Sequence, residues 1–247
     1  MKIQSVGIIG YGAFGPLAEK LLKKFAKGLK IKVWGRERAL ASKKFAQLQE
    51  VAKCDVVILA VPIRNYDEVL EMIRPYIRSD TIVVDIATVK SYTQSLVKEK
   101  FSTQPRLHIH PMFGPGSFKR TKGSVEGFPI VVTQHTFTIR EYRALKKFAK
   151  RCGFQIVEMT VDEHDRRISE TLFIAHLQSQ TLKRSGFLKK TAFDTPSVRL
   201  MKEAAEIVSS DTELFRDVVH YNKYCRDAMI HWQEAQSFIW KLLIEAK

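Results

Sequence analysis

The chain has few cysteines, a deficit of acidic residues and no long apolar run, and each shortage narrows what it can be. Its three cysteines, Cys54, Cys152 and Cys225, are scattered and odd in number. They supply neither a disulfide framework nor the paired spacing of a metal knuckle, so a reducing, cytoplasmic setting without a bound metal is expected. The longest apolar run, Val56 to Pro62, is far too short to span a bilayer. A strand-like run and its glycines begin almost at Met1, so no signal peptide is expected. Acidic residues number 26 against 41 Lys and Arg, a formal net charge of +15. Nucleic acid would profit from that charge. Yet the positive residues are spread over helix faces, as with Lys20, Lys23, Lys24 and Lys27, with no interleaved aromatics and no recognised nucleic-acid motif. A small anionic ligand would gain from the same field, and a merely solvated basic surface explains it equally well. Neither a membrane nor a nucleic-acid partner is expected.

What is present is 247 residues of ordinary globular composition, 45% hydrophobic and 27% charged, enough for one large domain or two smaller ones. The organising stretch runs from Ser5 to Gly15. Val6 to Ile9 reads as a buried strand, and Gly10, Gly12 and Gly15 follow at G-x-G-x-x-G spacing. Leu17, Ala18, Leu21, Leu22 and Phe25 then repeat at helical spacing, with Pro16 in the first turn. In this context Gly10 permits a tight turn, Gly12 lets a pyrophosphate approach the backbone, and Gly15 allows close helix–strand packing. The residues expected to hold a dinucleotide are therefore Gly10, Tyr11, Gly12, Ala13, Phe14 and Gly15, at a helix N-terminus suited to phosphates. A glycine-rich turn in some other α/β protein is the plain alternative.

The chain then alternates. Strands are predicted over Lys30–Trp34, Asp55–Pro62, Thr81–Asp85, Leu107–His110, Phe128–Thr133 and Gln155–Met159. Helices are predicted over Ala39–Leu48, after a cap at Asn65, over Tyr92–Phe101 and over Thr138–Cys152. This pattern predicts a Rossmann-type, doubly wound parallel sheet over residues 1–159. From Thr160 the periodicity is helical, with one helix over Glu163–Lys183, another over Ser197–Val208, and a long final helix capped by Asp211 or Thr212. Residues 160–247 are thus an all-helical domain, and the broad apolar stripe of the last helix predicts packing against other helices or a second subunit.

Ligands of open α/β sheets bind beyond the carboxyl ends of the strands. Val61 stands at one such end and is expected to line the cofactor. Asp85-Ile86-Ala87-Thr88-Val89-Lys90 leaves another, and His110-Pro111-Met112-Phe113-Gly114-Pro115 a third. A histidine there is suited to general acid–base work.

These strings, with Glu163-His164-Asp165, Ser209-Ser210-Asp211 and Glu213-Leu214-Phe215, occur in the order seen in the prephenate/arogenate dehydrogenase family. Within it the chain resembles the plant-type, NADP-dependent arogenate dehydrogenases over nearly its whole length. The resemblance implies a Rossmann domain, a helical dimerisation domain and a nicotinamide-dependent oxidative decarboxylation in tyrosine biosynthesis. It implies that His110 is the catalytic base toward the ring hydroxyl, with Thr88 in place of the usual serine. His176 matches a histidine that faces the active site, while its helical face shared with Ile168 and Leu172 also fits a hydrogen-bonded core residue. Lys90 and Gly114 are expected near the substrate. Ser179 and Glu206 stand where bacterial prephenate enzymes often carry His and Arg, so arogenate is preferred over prephenate. Glu206 also fits a plain pairing with Lys202.

The cofactor expectation is NADP rather than NAD, because Gly35 stands where NAD enzymes place an acid and Arg36 beside it suits a 2′-phosphate. Glu37 argues the other way if the register shifts by a residue or two. The expected assembly is a homodimer through the C-terminal helices. The rivals are a β-hydroxyacid-type dehydrogenase, whose catalytic lysine motif is not found around Ser169–Gln180, and a non-catalytic basic nucleotide-binding protein.

Overall fold

The structure is a computed structural model that describes residues 3–36, 44–208 and 211–245. The chain divides into two units, Met1–Val161 and Asp162–Lys247. Among the described residues seven strands carry the first: β1 (Ser5–Ile9), β2 (Lys30–Trp34), β3 (Val56–Leu59), β4 (Ile82–Asp85), β5 (Arg106–Pro111), β6 (Pro129–His135) and β7 (Gln155–Glu158). They form one sheet in the order β2-β1-β3-β4-β5-β6-β7. β1 to β5 are all parallel, because helices return the chain across the sheet between them. These are α1 (Gly15–Phe25), α2 (Leu48–Ala52), α3 (Tyr66–Ile73) and α4 (Lys90–Lys100). The strand order reverses between β1 and β3, the switch point of a doubly wound fold.

The expected all-parallel sheet needs one correction: β6 runs antiparallel to β5. The link between them carries only a short helix, α5 (Pro115–Arg120), and re-enters the sheet from the edge it left. α6 (Ile139–Arg151) then leads to β7, parallel to β6. The helix expected over Ala39–Leu48 is also displaced. Residues 39–43 lie outside the described part, residues 44–47 are not helical, and α2 begins at Leu48. Its seat is Gly7, where a Cβ would stand 2.3 Å from the Val51 carbonyl oxygen. A glycine inside a buried strand thus marks close backbone approach.

The second unit contains α7 (Val161–Glu170), α8 (Leu172–Ser185), α9 (Pro196–Val208), α10 (Thr212–Tyr221) and α11 (Cys225–Glu245). Two helices expected to be continuous are broken. The 163–183 stretch breaks at Thr171, at φ −117° and ψ −80°, whose hydroxyl donates to the Arg167 carbonyl at 2.6 Å. The final helix begins where Asp211 accepts from the Leu214 amide. It breaks at Asn222, whose side chain accepts from the Tyr224 amide at 3.0 Å and donates to the Asp165 carbonyl at 2.7 Å. Such local side-chain bonds compete with helical ones. α8 packs against α9, α10 and α11. Along α11, Phe238, Ile239, Trp240, Leu242, Leu243 and Ile244 are exposed. Among the described residues, no helix is long and apolar enough to cross a membrane.

α6 starts where its sequence places it, on a complete capping box: Thr138 accepts from the Glu141 amide, and Glu141 accepts from the Thr138 amide at 3.0 Å. Thr138→Ala is expected to cost about 1 kcal/mol, read in urea as a lowered midpoint at unchanged slope.

Candidate active site

Because β1 to β5 are parallel, their carboxyl ends share one edge. Register puts Trp34, Ile9, Leu59, Asp85 and His108 in a single row across it. Past this row come Arg36 after Trp34, the glycines after Ile9, Val61 after Leu59 and Thr88 after Asp85, while β5 runs on and carries His110. Strands lie about 4.8 Å apart, so the glycine turn and His110 are separated by three intervals, roughly 14 Å, along the edge.

The glycine turn fits a dinucleotide. Gly10 has φ +101°, and a Cβ there would meet the Ala60 carbonyl oxygen at 2.3 Å. A Cβ on Gly15 would stand 2.3 Å from the Gly10 carbonyl oxygen, so α1 starts directly against the turn. Gly12 is different: nothing lies within 4 Å of its Cβ position, and it and Ala13 are exposed. The rim of the turn is therefore bare backbone leading to the unpaired amides of the first helical turn, as a pyrophosphate needs. Phe14, also expected at the cofactor, turns its ring into the apolar core. Its ring packs 6.0 Å from Phe113, which stacks on Phe128 at 4.9 Å and Phe154 at 5.7 Å. This cluster ties the loop after His110 to the start of α1.

Tyr11 points toward β2. Its hydroxyl bonds to Glu19 and Lys44, its ring meets the edge of Phe45 at 5.2 Å, and its Cβ lies 3.1 Å from where a Cβ on Gly35 would stand. Burial acts to raise the Glu19 carboxyl, but hydrogen bonds from Lys23, Tyr11 and Lys44 overcome it and hold the group down at about 2. Arg36 pairs with Glu68 at 2.7 Å. Glu37, the acid that would argue for NAD, lies outside the described residues.

Beneath His110, itself buried, lies a network that the sequence did not announce. Asp85 has no exposed surface and faces five donors. Its Oδ1 lies 2.9 Å from both the Tyr66 hydroxyl and the Ala87 amide. Its Oδ2 lies 2.9 Å from Lys90 Nζ, 3.0 Å from the Thr93 hydroxyl and 3.1 Å from His108 Nδ1. Burial acts to raise this carboxyl, yet the Lys90 charge, the His108 bond and the Ala87 amide keep it well below the usual carboxylate range. Burial and the Asp85 charge push the Tyr66 phenol well above its ordinary value, so it stays a donor. His108 Nε2 has no hydrogen-bond partner among the described residues.

Lys90 is the largest departure from expectation. Rather than opening toward an anionic substrate, its fully buried ammonium binds Asp85 and donates to the Ile109 carbonyl at 2.7 Å. The reason is electrostatic: a buried carboxylate next to the start of α4 draws in the nearest cation. Thr88, half-buried, precedes that helix. Gly114 opens α5 with nothing within 4 Å of its Cβ position.

In the second unit, His176 is buried with its ring stacked 5.9 Å from Phe215. Burial lowers its basicity, and its Nδ1 has no hydrogen-bond partner among the described residues. Glu206 pairs with Lys190 at 3.2 Å rather than with Lys202, whose buried ammonium holds Asp194 at 2.8 Å. Ser209 and Ser210 lie outside the described residues.

Lys90→Met, which strands a buried carboxylate, is expected to lower unfolding stability by about 3–5 kcal/mol. Glu206→Gln, which breaks an exposed pair, should cost no more than about 1 kcal/mol in the same urea experiment.

Residues 30–158, more than half of the chain, match the family described as prephenate dehydrogenase, nucleotide-binding domain. Arogenate dehydrogenase 1, chloroplastic, of Arabidopsis thaliana is 27% identical over 237 residues, which cover 88% of this chain and 36% of that protein. Cyclohexadienyl dehydrogenase of Zymomonas mobilis is 24% identical over 237 residues, covering 88% of this chain and 80% of that protein. The chain thus spans only about a third of the plant relative. Among solved structures, prephenate dehydrogenase of Aquifex aeolicus, in complex with hydroxyphenyl propionate and NAD+, superposes with a TM-score of 0.75 at 18% identity. That superposition covers 99% of this chain and 92% of the other and establishes the shared fold. On the family match, this chain belongs to the prephenate dehydrogenase family, with residues 30–158 of its first unit matching the nucleotide-binding domain.

Proposed function

We propose that this chain catalyses the oxidative decarboxylation of L-arogenate to tyrosine with NADP as hydride acceptor. The observation that carries the reading is the sheet edge, which sets a bare glycine rim at the end of β1 and a buried histidine at the end of β5. His110 takes the proton of the ring hydroxyl, and Thr88 orients that hydroxyl. The bound nicotinamide supplies the hydride acceptor. Gly10 to Gly15 would hold its pyrophosphate, and Val61 would line the same edge. Loss of the ring carboxylate as carbon dioxide makes the product aromatic, which draws the reaction forward.

NADP is favoured because Gly35, packed against Tyr11, stands where NAD enzymes place an acid, and Arg36 beside it is a cation suited to a 2′-phosphate. Arogenate is favoured by the plant-type resemblance and by Ser179 and Glu206 in place of His and Arg. Since Glu206 is satisfied by Lys190, the preference does not require it to touch the substrate. Prephenate as substrate is the second reading, supported by the name of the matched family. A coupled assay of both substrates with both cofactors decides among the four combinations. Arogenate with NADP is expected to give the largest specificity constant, and a clear preference for prephenate would overturn the substrate assignment. His110→Ala should lower turnover by about a hundredfold or more with nearly unchanged cofactor affinity; a variant retaining half its activity would remove His110 from the mechanism.

The chain is further proposed to act as a homodimer in a reducing, cytoplasmic compartment. Three free, buried cysteines fit that setting. The exposed apolar stripe of α11, with Trp240 66% and Leu243 67% exposed, is the surface a two-fold partner would cover. Light scattering at micromolar concentration should give the dimer mass, and a monomeric mass would refute it.

A further inference from the structure

Sequence order spreads the positive charge over many helices, but the fold concentrates it on one side of one sheet. Residues 162–247 carry 13 Lys and Arg against 13 Asp and Glu, so the net +15 belongs wholly to the first unit. Strand residues alternate between the two faces of a sheet. On one face Val6, Val56, Val84 and Leu107 pack with Leu22 of α1 and with Tyr142 and Leu145 of α6. α5 joins this layer through Phe118, which clusters with Leu17 and Leu21. Gly7 and Asp85 point the other way and meet Val51 of α2, Tyr66 of α3 and Thr93 of α4. Helices α1, α5 and α6 hold eleven Lys and Arg with two acids, whereas α2, α3 and α4 hold three with five.

The cations of this layer face outward. Lys20, Lys23 and Lys24 of α1, with Lys27 just past it, are exposed, as are Arg140, Arg143, Lys147, Lys150 and Arg151 of α6. Steps of three and four residues put each set on one helix face. Contacts tie the sets together. Lys20 lies 5.1 Å over the Phe118 ring, and Lys24 donates to the Gly123 carbonyl at 3.3 Å, just past α5. Phe25, which ends α1, meets Phe154, three residues past α6, at 6.0 Å. Glu19 takes up Lys23 at 2.5 Å, and Glu158 takes up Lys146 at 3.1 Å. Among the described residues, no acid pairs with Lys20, Lys27, Lys147 or Lys150.

We propose that this layer is a sequence-independent docking surface for the phosphate backbone of a nucleic-acid duplex, a binding activity separate from the dehydrogenase reaction. Like charges gathered this densely repel one another, and a polyanion that covers them also releases its own counterions. The residues between the cations select among polyanions. A bilayer-binding face needs large apolar side chains to insert, and a protein partner needs aromatic or aliphatic anchors near the centre of its patch. Ala144 stands among Arg140, Arg143 and Lys147, and it is too small for either role. The exposed apolar residues of α6, Ile139 and Phe148, are nine positions apart and so fall at opposite flanks of the basic face. That face also lacks the aromatic platform on which a single strand would stack. A duplex backbone needs only cations spread along a surface.

The test is fluorescence anisotropy of the full chain with a labelled DNA duplex of about 20 base pairs, across a salt series. One variant combines Arg143→Gln, Lys147→Gln and Lys150→Gln on α6. A second combines Lys53→Gln, Arg74→Gln and Lys98→Gln, which removes as much charge from the opposite side of the sheet. Wild type should bind two unrelated duplex sequences equally, with a Kd on the order of micromolar. The α6 variant should bind about tenfold more weakly or worse, its salt slope lowered by about 1 per cation removed. The opposite-side variant should match wild type, and an unchanged thermal midpoint shows that each variant is folded. Lys20→Gln with Lys27→Gln, on the neighbouring helix, should weaken binding in the same direction as the α6 variant. Equal losses from both sides of the sheet would reduce the effect to diffuse net charge and overturn the proposal. Absence of binding at low salt would leave a solvated basic face and overturn it too. Tighter binding of the single strand than of the duplex, or capture by phosphatidylserine vesicles without duplex binding, would assign the face to another partner and refute it.

Discussion

Asp85 places a full negative charge at the carboxyl end of β4 with no solvent contact, and the middle of the sheet edge is assembled around keeping it there. An ionised carboxylate in such a place is tolerable only when cations and donors surround it. Lys90 supplies the charge, while Tyr66, Thr93, His108 and the Ala87 amide supply the hydrogen bonds. These partners come from α3, α4, β5 and the loop after β4, so one side chain fixes four segments. Lys90 carries the effect furthest, because it also grips the Ile109 carbonyl. Ile109 stands where the β5–β6 register shifts, and it immediately precedes His110. The backbone that presents the proposed base is thereby pinned from below by the same cation that neutralises Asp85.

The loop beyond His110 is fixed by a different force. Phe113 has no polar work to do, and its ring joins Phe14, Phe128 and Phe154 in one aromatic cluster with Leu17 and Phe118 beside it. Offset and tilted rings of this kind add to plain apolar burial. Through Phe14 the cluster reaches the residue that opens α1, so the loop after His110 and the start of that helix share one apolar support. Polar contacts set the strand ends, and apolar packing sets the loops that leave them.

Much of this was legible in the residues. The glycine turn, the buried strands, the Thr138 cap and the Asp211 cap depend on neighbours a few positions away, and local pattern reveals such features. What stayed hidden depends on side chains meeting across the fold or on bonds that override a continuing pattern. The apolar period runs unbroken through Thr171 and Asn222, while their own side-chain bonds stop the helices there. Lys90 reads as a cation for the substrate until Asp85 is seen beside it. Glu206 stands four residues from Lys202 and looks paired with it, but the buried Asp194 claims Lys202 first. The antiparallel β6 escaped because the segment before it is long enough to have crossed the sheet.

The same edge also keeps the two proposed sites of this domain apart. The group proposed to read the cofactor, Arg36, stands beyond β2 and pairs with Glu68. The groups proposed to meet the ring, Thr88 and His110, stand beyond β4 and β5 and are ordered by Asp85 and Lys90. Four strand intervals separate β2 from β5, roughly 19 Å, and among the bonds described above the two sets share no side chain. Sites that far apart, with no shared partner, contribute independently to binding. On the proposed reading, a change at the cofactor end leaves His110 undisturbed, and a change at the substrate end leaves the glycine turn undisturbed. A parallel sheet makes this separation simple, because each strand end delivers its own side chain to the common edge.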